Sequence, residues 1–128
     1  MHEMAICETL VGLIEREARA RGLKSVRRAR LRVGKMAAFE LSQLTICLKG
    51  MPQRGLLRDT AFEIEEIPVT LKCRLCGATS VDERFDDLGF AHSIAHAPEF
   101  YMPLPCPSCG GSGLDLVSGK EREVALVE

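Results

Sequence analysis

Cys73-Arg74-Leu75-Cys76-Gly77 is followed by Cys106-Pro107-Ser108-Cys109-Gly110, with 29 residues between Cys76 and Cys106. The same C-x-x-C-G pattern therefore occurs twice. Each copy places two sulfurs on one tight turn, where backbone N–H groups can donate to thiolates, and the closing glycine permits the positive φ that such a turn needs. Two such knuckles supply four soft ligands, the set preferred by a tetrahedral structural Zn²⁺. A single C-x-x-C would read equally well as a redox pair, but two with matching glycines point to one shared ion. Iron in a four-sulfur site is the alternative that spacing does not separate from zinc. With four protein ligands the site has no open coordination position, which predicts a structural role and not a catalytic one.

Outward from the knuckles the chain divides into three parts: 1–69, with regular periodicity; 70–112, rich in Cys, Pro and Gly; and 113–128, strand-like again. Met4 to Ala20 predicts a helix, with Ile6, Leu10, Leu13, Ile14 and Glu17 at helical steps and Cys7, Val11 and Ala18 widening the stripe. Val26 to Val33 switches to a period of two, Ala29, Leu31 and Val33 facing one way and Arg28, Arg30 and Arg32 the other. Leu41, Leu44, Thr45 and Leu48 return to helical spacing, closed by Gly50 and Pro52. A second alternating run sets Phe62, Ile64 and Ile67 against Glu63, Glu65 and Glu66.

The arginine-faced and glutamate-faced strands suit each other as sheet neighbours, because opposite charges across a ladder attract. The predicted class is α+β: a small mixed sheet of about three strands packed by two helices, with an inserted Cys₄ zinc-ribbon-like domain. The predicted boundaries are 1–69, completed by a returning strand in 113–128, and 70–112 for the zinc-binding insertion. Cys7 and Cys47, among apolar neighbours on the two helices, read as buried thiols.

Composition narrows the function. The formal charge is −1, there is no Trp and one Tyr, and four zinc-bound thiolates would make the charge two units more negative. Nothing there gathers a polyanion, so nucleic acid is not an expected partner. The basic cluster Arg16, Arg19, Arg21, Lys24, Arg27, Arg28, Arg30 and Arg32 reads mainly as a solvated sheet face. No apolar run approaches the roughly 20 residues that span a bilayer, and the acidic N-terminal stretch does not read as a signal peptide. A cytoplasmic protein without a membrane partner is expected, with cysteines as thiols and ligands rather than disulfides.

Catalytic signatures are absent. There is no H-E-x-x-H and no G-x-S-x-G, and Gly119-Lys120-Glu121 fails as a P-loop because Leu stands at 114 and Glu at 121. The chain does not read as an enzyme. The alternative to metal handling is a zinc-ribbon module that binds protein or nucleic acid.

Two further groups carry metal chemistry. At Met1-His2-Glu3, a free α-amine, an amide nitrogen and an imidazole can chelate one Ni²⁺ or Cu²⁺ through adjacent rings, with Glu3 adding a carboxylate; a solvated terminus is the plain alternative. Between the knuckles, His92 and His96 stand four apart and would share a face if that segment were helical. They form a candidate accessory metal site, set against a mobile or partner-binding loop.

The order of parts resembles the HypA/HybF family of nickel chaperones for [NiFe]-hydrogenase maturation. The resemblance rests on Met1-His2-Glu3, a helix, a strand ending Arg32-Val33-Gly34, a second helix, a strand ending Glu66-Ile67-Pro68-Val69, the two knuckles and the closing Gly119-Lys120-Glu121 strand. It implies a transferable Ni²⁺ held at Met1, His2 and Glu3, with His2 the essential ligand and Glu40 the match for an acidic residue near the nickel. It also implies structural zinc at Cys73, Cys76, Cys106 and Cys109, a HypB-type GTPase as partner and a hydrogenase large subunit as acceptor. The inter-knuckle segment is longer than usual for the family, and Lys35 to Glu40 departs from the common Gly-Glu-Leu-Ser pattern. Homodimerisation through the insertion stays open.

Overall fold

The computed structural model describes residues 2–50 and 55–127, with the side chains of His2 and Val127 outside the described set. Met1 and the expected helix stop at Pro52 also lie outside it. The chain forms two compact units: 1–33 with 39–65 and 122–128, and 34–38 with 66–121.

In the first unit, helix α1 (His2–Ala20) buries Ile6, Cys7, Leu10, Ile14 and Ala18, a stripe that recurs every four residues. Leu13 and Val11 are half-buried and Glu17 faces solvent. The helix ends where Leu23 N–H reaches Ala18 O (2.9 Å) and Gly22 N–H reaches Arg19 O (3.1 Å), satisfying carbonyls that the helix leaves open. Strand β1 (Arg28–Gly34) alternates as its sequence predicts, with Ala29, Leu31 and Val33 inside and the arginines outside. Helix α2 (Leu41–Gly50) buries Leu44 and Leu48, and α1 packs against it.

Strand β1 lies between β2 (Ala61–Ile67) and the last strand, β6 (Arg122–Val127), and pairs with β6 antiparallel, Leu31 opposite Val124. The charged face closes as expected and gains a member from β6. Arg28 and Arg30 bond Glu63 at 3.3 and 3.2 Å, while Arg32 spans Glu65 (3.4 Å) and Glu123 (2.6 Å).

The second unit holds a sheet of its own. Strand β3 (Thr70–Cys73) lies between β4 (Thr79–Val81) and β5 (Leu114–Ser118), both antiparallel to it. The predicted single returning strand is thus two: β5 pairs with the strand entering the first knuckle, and only β6 returns to β1. The chain turns between them at Gly119, whose N–H donates to Glu121 Oε1 at 2.7 Å. A Cβ on Gly34 would stand 2.0 Å from Gly119 O, so this crossing of two backbones requires glycine. The two compact units meet along the chain at Val33/Gly34, Ala38/Phe39, Glu65/Glu66 and Glu121/Arg122.

The inter-knuckle segment is folded. Asp82 caps a short 3₁₀ turn (Glu83–Asp86), Asp87 caps helix α3 (Leu88–His96), and a second short turn follows at Pro98–Phe100. Ala38, Val69, Phe85, Ala91 and Ile94 form its core, with Met36, Phe90, Ala95 and Tyr101 packed around them. Phe85 meets Phe90 and Tyr101 edge-on, with ring centroids 5.1 and 5.4 Å apart.

Candidate metal centres

The knuckles are built alike. Gly77 N–H bonds Cys73 O (3.0 Å) and Cys73 N–H bonds Ala78 O (2.9 Å); Gly110 N–H bonds Cys106 O and Cys106 N–H bonds Gly111 O, each at 2.8 Å. Gly77 and Gly110 both take φ +77, the left-handed conformation that closes such a turn most readily with glycine. Arg74 fixes the first knuckle to β5 through a two-pronged bond to Asp115, and its N–H donates to Gly113 O at 2.8 Å.

The four Sγ atoms lie within 4.8 Å of one another. Cys73 to Cys109 and Cys76 to Cys106 are each 3.6 Å. A tetrahedral ion with metal–sulfur bonds of about 2.3 Å would set its sulfurs about 3.8 Å apart, so the tetrad fits such an ion after small adjustments. Cys73 and Cys106 are buried, and Cys76 and Cys109 are exposed.

The electrostatics suit a cation. Backbone N–H groups of each turn, Cys76 first for Cys73 and Cys109 first for Cys106, hold these thiols below their ordinary range, Cys106 at about 7. The Gly111 N–H also lowers Cys109, but the surrounding sulfurs outweigh it and push Cys109 up to about 11. Four thiolates so close cannot all ionise without a compensating charge. A divalent ion would supply it.

Cys7 is buried against α2, where burial and the nearby Cys47 push its thiol up to about 11. Cys47 itself is only half-buried.

At the other end, His2 opens α1 and Glu3 lies in its first turn. Glu3 Oε2 accepts the Glu40 N–H at 3.2 Å, so Glu3 and Glu40 are neighbours although 37 residues apart. Glu40 also caps α2: its Oε2 accepts from Ser42 Oγ (2.5 Å) and from Gln43 N–H (2.8 Å). These two donors, the hydroxyl first, hold its carboxyl below the ordinary range. The cap was legible as an acid just before Leu41, but the sequence reading missed it.

His92 and His96 both lie on α3, with rings nearly parallel (22°) and centroids 6.3 Å apart. A buried acid in the same unit escaped the sequence reading. Asp82 receives Arg84 Nη2 at 2.7 Å and the Tyr101 hydroxyl at 2.8 Å. Burial pushes its carboxyl up, but the Arg84 side chain, the Tyr101 hydroxyl and the Arg84 N–H outweigh that and hold it below the ordinary range. Arg84 also covers the Phe90 ring at 4.7 Å and donates to Met102 O at 2.8 Å.

The family described as "Hydrogenase/urease nickel incorporation, metallochaperone, hypA" matches residues 1–128, the whole chain. The chain belongs to the HypA family. Among similar proteins, hydrogenase maturation factor HypA 2 of Bradyrhizobium diazoefficiens is 30% identical over 129 residues, covering all of this chain and 98% of that one. The HypA hydrogenase maturation factor of Moorella thermoacetica is 31% identical over 128 residues, with the same coverage. The solution structure of the Ni metallochaperone HypA from Helicobacter pylori superposes with TM-score 0.58 at 19% identity, over 100% of this chain and 95% of that one. A second HypA solution structure gives 0.55 at 18%, over 100% and 93%. These structures share the HypA fold. HypA proteins are maturation factors that handle nickel rather than catalysts, and no helix among the described residues is long and apolar enough to cross a membrane.

Proposed function

We propose that this chain takes up one Ni²⁺ at its N-terminus and passes it on for [NiFe]-hydrogenase maturation, while its four knuckle cysteines hold a structural Zn²⁺. The Met1 amine and the His2 imidazole supply nitrogen ligands, and the Glu3 carboxylate joins them or orients them. The contact that carries this reading is the Glu40 N–H to Glu3 Oε2 bond, which ties the carboxylate of the first turn of α1 to the residue that caps α2. A capped helix end is a fixed support, so the Glu3 carboxylate is held in place for a ligand role. The Glu40 carboxylate stays ionised through its own hydrogen bonds and adds negative charge beside a cation.

Transfer follows from the placement of the ligands. An amine and one imidazole do not fill the coordination of Ni²⁺, so an acceptor's ligands can enter before the last of the chain's own have left. In the knuckle tetrad the chain supplies all four ligands, and Zn²⁺ there neutralises thiolates and fixes the turns. A GTPase of the HypB type supplies the nucleotide-driven step, and the large subunit of the hydrogenase receives the metal.

Function in a cell tests this reading. In a strain whose own nickel chaperone has been deleted, the chain restores nickel to the hydrogenase large subunit, and its His2→Ala variant does not. Equal restoration by the variant would remove the N-terminus from the delivery route.

A further inference from the structure

We infer that His92 and His96 form a second, exchangeable metal site on α3, able to take a borderline divalent cation such as Ni²⁺ independently of the N-terminal ligands. The helix sorts its residues cleanly: Ala91 and Ile94 are buried, Phe90 and Ala95 pack on the same core, and His92 and His96 stand on the opposite arc with Ser93. Four-residue spacing stacks the two imidazoles one turn apart, and the rings lie 22° from parallel.

The distance admits a shared ion. With metal–nitrogen bonds of about 2.1 Å, a ring centroid lies roughly 3.2 Å from the ion, so two rings on one ion reach at most about 6.4 Å between centroids. The observed 6.3 Å falls inside that limit. A tetrahedral or octahedral angle needs the rings about 1 Å or more closer, which rotation of the exposed His96 side chain toward the half-buried His92 supplies. Imidazole suits Ni²⁺, Cu²⁺ and Zn²⁺ better than it suits Mg²⁺ or Ca²⁺.

Among the described residues, the one group of three or more potential ligands is the knuckle tetrad. The histidine pair therefore contributes two ligands and leaves the remaining positions to water. Such a site holds its ion loosely and releases it readily, in contrast to the tetrad.

His2, His92 and His96 are the only histidines in the chain, so a His2→Ala background leaves this pair as the sole imidazoles. The test is Ni²⁺ added to full-length, zinc-loaded His2→Ala protein at neutral pH, followed by the ring resonances of both histidines and by nickel retained in equilibrium dialysis. The expected result is that both rings respond together at substoichiometric Ni²⁺, and that the response and the retained nickel are lost when His96→Ala is combined with Ser93→His. That variant keeps two histidines on the helix but breaks their spacing. His92→Gln and His96→Gln, each made singly and each checked for unchanged helix content and zinc, should lose the site as well. Rings that do not respond, or nickel retained equally by the respaced and single variants, would overturn the inference. Because His2 is absent throughout, neither result bears on the N-terminal reading.

Discussion

The two units of this chain are held together by different physics. The first is a hydrophobic device: a four-residue stripe on α1, a strict alternation on β1, and leucines of α2 turned inward. The second buries a smaller apolar core and relies on polar and ionic anchors, namely four convergent sulfurs and the Asp82–Arg84–Tyr101 network. Removing a methyl group weakens the first kind of structure by degrees. Removing a partner from the second leaves a buried charge or thiolate uncompensated, so its losses come in larger steps.

The largest expected effect is on the knuckles. Stripping their metal with a strong chelator removes binding energy on the order of 10 kcal/mol, and amide exchange should accelerate throughout β3, β4 and β5 while α1 and β1 stay protected. Equal loss of protection in both units would break the contrast. Asp82→Ala comes next: it strands Arg84 and the Tyr101 hydroxyl and should cost about 4 kcal/mol, read from denaturant unfolding followed at Tyr101. Because the Asp82 carboxyl is held below its ordinary value in the folded chain, its contribution is complete above the unfolded value of about 3.9 and is lost as pH falls through the lower folded value. Acid unfolding of Asp82→Asn should therefore lack that part of the pH dependence.

In the first unit, Leu10→Ala empties a fully buried site and should cost about 3 kcal/mol, visible as a lower denaturant midpoint of the α1 signal. Smallest of all is Glu63→Gln. Its ion pairs with Arg28 and Arg30 are exposed on both sides, so the change should stay under about 1 kcal/mol and shrink further in high salt.

The same contrast explains what could be read in advance. Helix α1, strand β1 and their facing charges were legible because a single periodicity decides which side of each element is buried. Glu123 was not foreseen in that charge ladder, since its place depends on β6 returning beside β1, a long-range pairing that local pattern does not encode. In the second unit the tetrad was legible from spacing and turn glycines, because its ligands announce their own chemistry. Helix α3 was not, although Asp87 before Leu88 and the apolar set Phe90, Ala91, Ile94 and Ala95 are a short helix's signature. Nine residues among prolines and glycines give that pattern too little length to stand out. The splitting of 113–128 into β5 and β6 was hidden for a related reason: both halves are strand-like, and only the backbone crossing at Gly34 and Gly119 separates them. Glu40 was approached through resemblance alone, whereas its neighbour Glu3 and its capping role emerge from the fold.

The central claim is that nickel is carried at the N-terminus. Calorimetric titration of Ni²⁺ into zinc-loaded, tag-free protein, beside its His2→Ala variant, tests it most directly. The account predicts one tight site that disappears with His2 while zinc content and fold are unchanged; tight binding that survives in the variant would contradict it.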